Sequence, residues 1–137
     1  MRMDNRSLAL WGFYAAFVVW VMYAYWHETI FRFSVPMGGV KLLVWLALAG
    51  FLAYSIYCSL RESLFRTISV MAKLYWGRQI GIDLYLGLFI GMLIIYFHEG
   101  PVAVLVWLIP TLLFANLSML LYVAVNFDSL AARLLGA

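Results

Sequence analysis

Four long runs of apolar residues follow one another along the chain, and the segments between them hold most of the charge. The runs cover residues 8–26, 40–60, 80–97 and 102–125. Each run is long enough, at ~1.5 Å per residue in a helix, to cross most of the ~30 Å hydrocarbon layer of a bilayer. The pattern therefore predicts four membrane-spanning helices.

A helix of different character is predicted between the second and third runs, over residues 61–76. Polar side chains recur there at helical spacing and leave the opposite side apolar; the polar positions are Glu62, Arg66, Ser69 and Lys73. Such a helix is typical of the membrane–water interface. We expect a connector lying on the membrane, whose cations could also meet anionic lipid or a partner, and we expect Gly77 to end it.

The composition fits this picture. Hydrophobic residues make up 67% and charged residues 11% of 137 residues, which leaves too little polar surface for a water-soluble fold. The net charge of +3 is better explained by membrane topology than by nucleic acid. One cysteine, Cys58, excludes an intramolecular disulfide. The fold class is therefore a single all-α membrane domain over residues 1–137.

The cations predict an orientation, because short cytoplasmic loops are enriched in Lys and Arg. Four spans would put seven cations on one side: Arg2, Arg6, Arg61, Arg66, Lys73, Arg78 and Arg133. Arg32 and Lys41 would lie on the other side. We expect a multi-pass protein of the inner or plasma membrane with both termini cytoplasmic.

Two halves of the chain share a pattern. Tyr-Trp-His-Glu at 25–28 is matched by Tyr-Phe-His-Glu at 96–99, and Gly38 to Leu46 is matched in part by residues 100–108. A duplication would give two parallel-repeat helical hairpins, related by an axis along the membrane normal. Chance similarity between apolar segments is the alternative.

Small residues recur on one face of two predicted spans. Gly12 and Ala16 lie four apart in the first span, and Gly87 and Gly91 lie four apart in the third. Small residues at this spacing let two helices approach closely within lipid. We predict that these faces serve helix packing.

Three polar residues fall within or beside the predicted spans. Asp83 lies about one turn inside the third span, Asn116 near the middle of the fourth, and Asn126 at its end. Intramembrane polar groups often mark ion or proton paths, so Asn116 is expected to face inward. For Asp83 we favour an ion pair with a nearby cation such as Arg78.

The two His-Glu pairs are candidate ligands. His27, Glu28, His98 and Glu99 would lie together at the outer end of the bundle. Imidazole and carboxylate groups bind zinc and related metals, and two histidines on neighbouring spans could ligate a haem. We predict no cofactor, and a metal ion or haem at this cluster stays an alternative.

No familiar catalytic motif occurs in the chain. The leading hypothesis is an accessory or assembly subunit, or a homo-oligomer, that acts through helix–helix contacts without catalysis. Its partners would be the lipid bilayer and another membrane protein or itself, and not nucleic acid. The alternatives are a small transporter or channel using Asp83 and Asn116, and a metal- or haem-binding protein using His27 and His98.

Overall fold

The computed structural model describes residues 5–33 and 37–135, and these residues form helices without strands. Arg2 and the chain termini, which entered the topology prediction, lie outside the described residues. The helices in chain order are α1 (Asn5–Ala24), α2 (Gly38–Arg61), α3 (Leu64–Met71), α4 (Tyr75–Glu99), α5 (Pro101–Phe114), α6 (Asn116–Val125) and α7 (Phe127–Leu134).

Three of these helices, α1, α2 and α4, are long and apolar enough to cross a membrane. They correspond to the first three predicted spans, with boundaries shifted by a few residues. A fourth span is reached only if α6 and α7 are counted as one, although they are bent by 79° at their junction. The structure thus supports an all-helical protein with three to four candidate spans.

The predicted interfacial helix is shorter than expected. α3 has 8 residues, and Ser63 caps its start by accepting a hydrogen bond from the Arg66 amide at 3.5 Å. Gly77 was predicted to end this helix, but it lies in the first turn of α4. Its α-carbon faces the Met71 carbonyl so closely that a side chain would collide. This glycine therefore permits a tight corner between α3 and α4.

The fourth predicted span is wrong as a single helix. The chain continues helically through Pro110 and breaks five residues later at Ala115, which has φ 50° and ψ −120°. Thr111 and Ser118 approach to 3.3 Å between hydroxyl oxygens, and the rings of Trp107 and Tyr122 lie 4.9 Å apart. In a continuous helix Trp107 and Tyr122 would be ~22 Å apart. Helices α5 and α6 therefore form an antiparallel hairpin that returns to the end where it began.

Two tyrosines satisfy carbonyl groups at the tip of this hairpin. Tyr85 of α4 donates to the Leu112 carbonyl at 3.0 Å, and Tyr14 of α1 donates to the Leu117 carbonyl at 3.3 Å. The Leu112 carbonyl lies in the last turn of α5, where a helix leaves carbonyls without intrahelical partners and lipid offers none, whereas the Tyr14 bond links α1 to the first turn of α6. The 14 residues of α5 span about 21 Å, so the tip lies beyond the middle of the long helices.

The hairpin forms the centre of the fold. The α6 side chains that lie fully buried include Leu121, Tyr122 and Val125, and Phe114 at the tip packs 4.7 Å from the Tyr14 ring. Most apolar side chains of α1, α2 and α4 stay exposed on the outside. The predicted repeat gains no support, because α2 is continuous over 24 residues whereas its counterpart α5 ends after 14.

The long helices have two distinct ends. We call the end where α1 and α4 finish the His-Glu end, and the opposite end, where α2 finishes and α4 begins, the Arg61 end. Helix α7 lies at the His-Glu end, where Arg133 donates to the Phe97 carbonyl at 3.1 Å. Arg133 thus lies at the other end of the long helices from the cations with which the topology prediction grouped it, Arg61, Arg66, Lys73 and Arg78. The side of the membrane predicted for the two termini stays a prediction.

Candidate functional site

Two hydrogen-bond networks occupy the His-Glu end. The Glu99 network contains Tyr25, His98, Glu99, Trp107, Tyr122 and Ser129. The Lys41 network contains His27, Thr29, Lys41, Asp128 and the Val125 carbonyl. Between them they join α1, α2, α4, α5, α6 and α7.

The Glu99 carboxylate is the common acceptor of the first network. Tyr25 donates to one carboxylate oxygen at 2.9 Å, and Tyr122 donates to the other at 3.1 Å. The indole of Trp107 donates to the Tyr25 hydroxyl at 3.0 Å. Because an indole can only donate, the Tyr25 proton must point onward to Glu99.

His98 joins the same network through both ring nitrogens. Its Nδ1 lies 2.7 Å from the Tyr122 hydroxyl, and its Nε2 lies 2.7 Å from the Ser129 hydroxyl. Tyr122 already donates its proton to Glu99, so its oxygen accepts from Nδ1–H of His98. When the imidazole is neutral, its Nε2 then accepts from the Ser129 hydroxyl.

Ser129 and His98 have the spacing of a nucleophile and a base, but the third group is displaced. The Glu99 carboxylate lies 3.7 Å from His98 Nδ1, and Tyr122 stands between them. The His98 side chain is 8% exposed and that of Glu99 is 25% exposed. The arrangement ties α7 to the ends of α4 and α6 and directs two tyrosine hydroxyls at one partly buried carboxylate.

The Lys41 network is built around a buried ammonium group. Lys41 donates to Asp128 at 2.9 Å and to the Thr29 carbonyl, while its side chain is 2% exposed and that of Asp128 is 44% exposed. A lysine at the end of an apolar span is usually expected to extend toward lipid head groups, but Lys41 does not. It instead links the start of α2 to α7.

His27 completes this second network at the carboxyl end of α6. Its Nε2 donates to the Val125 carbonyl at 2.9 Å, and its Nδ1 lies 3.0 Å from the Thr29 hydroxyl. That hydroxyl donates to Asp128 at 2.8 Å. The last carbonyls of a helix carry partial negative charge, so a donor placed here caps α6 favourably.

The surroundings of Asp128, which lies outside the three long helices, alter its pKa. Partial burial alone would raise this pKa, but hydrogen bonds from Lys41 and Thr29 and the nearby positive charges outweigh that effect. The pKa of Asp128 is therefore held below the usual value of an aspartate. The carboxylate is the stable form at neutral pH.

The His-Glu pairs do not form the predicted ligand cluster. Within the described residues no group of three His, Cys, Asp or Glu side chains is placed to hold a metal ion. Both ring nitrogens of His27 and of His98 contact protein groups, so neither has a free nitrogen for a metal or haem iron. Glu28 is exposed and takes no part in the hydrogen bonds that Glu99 forms.

The predicted polar residues of the spans are not brought together. Asp83 is exposed on α4, and the ion pair favoured for it does not form with any described residue. Asn116, expected to face inward, is exposed at the hairpin tip. Asn126 is buried at the corner between α6 and α7, where its amide donates to the Tyr122 carbonyl at 3.0 Å. A path bordered by Asp83 and Asn116 thus gains no support.

The small-residue faces divide between the inside and the outside of the fold. Gly91 packs against the Met119 side chain of α6, so that a methyl group at Gly91 would lie 2.5 Å from the sulfur. Gly87 has nothing within 4 Å of such a methyl group, and neither has Gly12. Ala16 is exposed as well. Only Gly91 serves packing within the described part of the chain.

No protein-family model, curated protein or solved structure matches this chain. The function must therefore be argued from geometry.

Proposed function

We propose that this chain is an accessory or assembly subunit of a membrane complex and that it acts through helix–helix contacts along one face of α4. The observation that carries this proposal is Asp83. It lies on an otherwise apolar helix, is exposed, and has no hydrogen bond or ion pair with any described residue. An ionisable group in this position calls for a partner outside the chain.

The residues around Asp83 form a regular stripe. Exposed side chains follow it at steps of four, three, four and three, and we call this stripe the α4 seam: Asp83, Gly87, Ile90, Ile94 and Phe97. The seam lies on the side of α4 away from the buried residues Leu88 and Ile95. Alternating steps of three and four are the pattern of a helix that packs along another helix.

The cost of leaving Asp83 in lipid supports a partner. Asp83 is eight residues into α4, which places it about 12 Å from the start of the helix. An aspartate at the middle of a span costs about 2.5–3.5 kcal/mol on insertion scales, and the cost is smaller at the shallower depth of Asp83. A partner helix that supplies a hydrogen-bond donor would offset much of that cost, and Gly87 leaves room for its backbone.

The chemistry of the seam favours an unlike partner. A second copy related by a two-fold axis along the membrane normal would bring two Asp83 carboxylates together, and like charges at such a contact repel. A helix that carries Lys, Arg, Ser or Asn opposite Asp83 would form a hydrogen bond instead. A homo-oligomer is the alternative outcome that the experiment below distinguishes.

Two glycines provide a matched pair of variants. Gly87→Val should not lower the unfolding midpoint, because a β-carbon there would have no described atom within 4 Å, but it should weaken association by about tenfold, as expected for a loss of ~1.4 kcal/mol. Gly91→Val should lower the midpoint because it collides with Met119. Association would be measured by co-purification in mild detergent and by counting photobleaching steps in lipid.

The proposal fails if the wild-type chain stays monomeric in lipid and no partner co-purifies with it. It also fails if Gly87→Val associates as strongly as the wild type.

A further inference from the structure

One short segment carries the net charge of the whole chain. Residues 61–79 hold four cations, Arg61, Arg66, Lys73 and Arg78, against one carboxylate, Glu62. The rest of the chain holds five cations and five acids, so the net charge of +3 belongs to this segment. We call residues 61–79 the basic segment.

The fold places the basic segment at the Arg61 end, where α2 finishes, α3 follows and α4 begins. Helix α3 is amphipathic, and its apolar side chains are uncovered by the described residues; Leu64 and Phe65 are exposed, and Ile68 is 53% exposed. A short helix with one polar and one apolar side, next to two apolar spans, has the form of a helix that lies in a membrane surface.

Two of the four cations of the segment contact aromatic rings, and none of the four is neutralised by a described residue. The Arg61 guanidinium lies 5.2 Å from the Tyr57 ring centre, and the Arg78 guanidinium lies 5.4 Å from that of Tyr75. Arg78 also donates to the Ala72 carbonyl at 2.7 Å. None of the four cations forms an ion pair with a described residue, and all four are exposed. Their remaining donors point to a ligand outside the chain.

We propose that the basic segment binds anionic phospholipid head groups, with the apolar side of α3 in the boundary between head groups and acyl chains. Lipid fits both halves of the surface, because phosphate groups meet the cations while acyl chains meet Leu64, Phe65 and Ile68. Trp76, which lies within the segment and is 77% exposed, suits a position among the head groups, where aromatic residues are enriched. This surface is separate from the α4 seam, so neither proposal depends on the other.

The preference for anionic lipid should be measurable. Each Lys or Arg near an anionic membrane surface raises the affinity for that surface about fivefold, which corresponds to ~1 kcal/mol. Removal of one cation from the segment should therefore lower the preference for an anionic head group about fivefold at low salt, and the effect should shrink as salt is raised.

The test uses the full chain in bilayers that contain bromine-labelled lipid, which quenches nearby tryptophan. The quenching of Trp76, obtained as the difference between the wild type and Trp76→Phe, is compared for brominated phosphatidylglycerol and brominated phosphatidylcholine. Brominated phosphatidylglycerol should quench Trp76 more strongly than its mole fraction in the bilayer predicts. Arg66→Gln and Lys73→Gln should each lower this excess about fivefold, whereas Arg66→Lys should keep it.

A matched control lies at the other end of the molecule. Arg32 is also an exposed arginine, so Arg32→Gln should leave the quenching of Trp76 unchanged. Equal quenching by the two lipids in the wild type would overturn the proposal, and so would unchanged quenching in the double variant of Arg66 and Lys73. Displacement of the lipid by an equal concentration of soluble glycerol phosphate would also overturn it, by showing that free phosphate is the ligand.

Discussion

Removal of either partner of the ion pair between Lys41 and Asp128 should have unequal effects. Lys41 is 2% exposed and has little access to water, whereas Asp128 is 44% exposed. Asp128→Ala leaves a buried ammonium group with the Thr29 carbonyl alone. Lys41→Met keeps the apolar stem and leaves a carboxylate that water can solvate. We therefore expect the aspartate variant to be the less stable of the two.

The magnitudes follow from the exposure of each group. Loss of the counterion of a fully buried charge costs about 3–5 kcal/mol, and partial access of water through Asp128 reduces this to about 2–3 kcal/mol. Lys41→Met should cost about 1 kcal/mol, since the exposed carboxylate recovers its hydration. The free energy of unfolding of the double variant should be close to that of Lys41→Met, because no unpaired ammonium group remains. The coupling energy between the two sites would then be about 2–3 kcal/mol.

The assay is equilibrium unfolding in mild detergent, followed by tryptophan fluorescence. Lys73→Met serves as the control, because Lys73 is exposed and forms no ion pair with a described residue. Its free energy of unfolding should stay within about 0.5 kcal/mol of the wild type. If Lys41→Met costs as much as Asp128→Ala, or if the two losses add in the double variant, the link between α2 and α7 does not work as described.

Three further predictions concern the same end of the molecule and the hairpin tip. Glu99→Gln should cost about 1–2 kcal/mol, because an amide offers one acceptor oxygen to the two tyrosine hydroxyls that bind there. The exposed Glu28→Gln should stay within about 0.5 kcal/mol in the same unfolding assay, and equal losses would contradict the network. The stabilisation from Asp128 should be complete above the unfolded pKa of about 4 and be lost as pH falls through the lower folded pKa. In thermal scans, the unfolding midpoint of the wild type should therefore fall more steeply with decreasing pH below about pH 4 than that of Asp128→Ala. Parallel curves of midpoint against pH would refute this. Ala115→Gly should raise stability by about 1 kcal/mol, because glycine accepts a positive φ without strain, and a loss would argue against the observed turn.

The long helices could be predicted from sequence because length and hydropathy alone identify them. The hairpin could not, since its turn falls at Ala115, a residue that usually favours helix, and Pro110 nearby is the more obvious signal. The strain at Ala115 is held by contacts from other helices, such as the Tyr85 bond to the tip. A local pattern carries no information about such distant contacts.

The candidate site was partly predictable for a related reason. His27, His98 and Glu99 stand out as rare polar residues in an apolar chain, and each does take part in a network. Lys41 and Asp128 were missed because they are 87 residues apart and meet only when α7 turns back beside α2. Once the hairpin is known, a lone lysine at the start of α2 and a lone aspartate at the start of α7 become natural partners.

The two ends of the molecule differ in how far the fold itself satisfies their charges. At the His-Glu end, Lys41, Asp128 and Glu99 are each bound by other residues of the chain. Toward the Arg61 end, the cations of the basic segment and the Asp83 carboxylate have no ionic partner among the described residues. Since unpaired charge beside or within an apolar layer is costly, external partners are expected where the chain supplies none. The His-Glu end therefore holds the hairpin in place, and the two proposals assign external partners to the charges that the described residues leave unpaired in the basic segment and at Asp83.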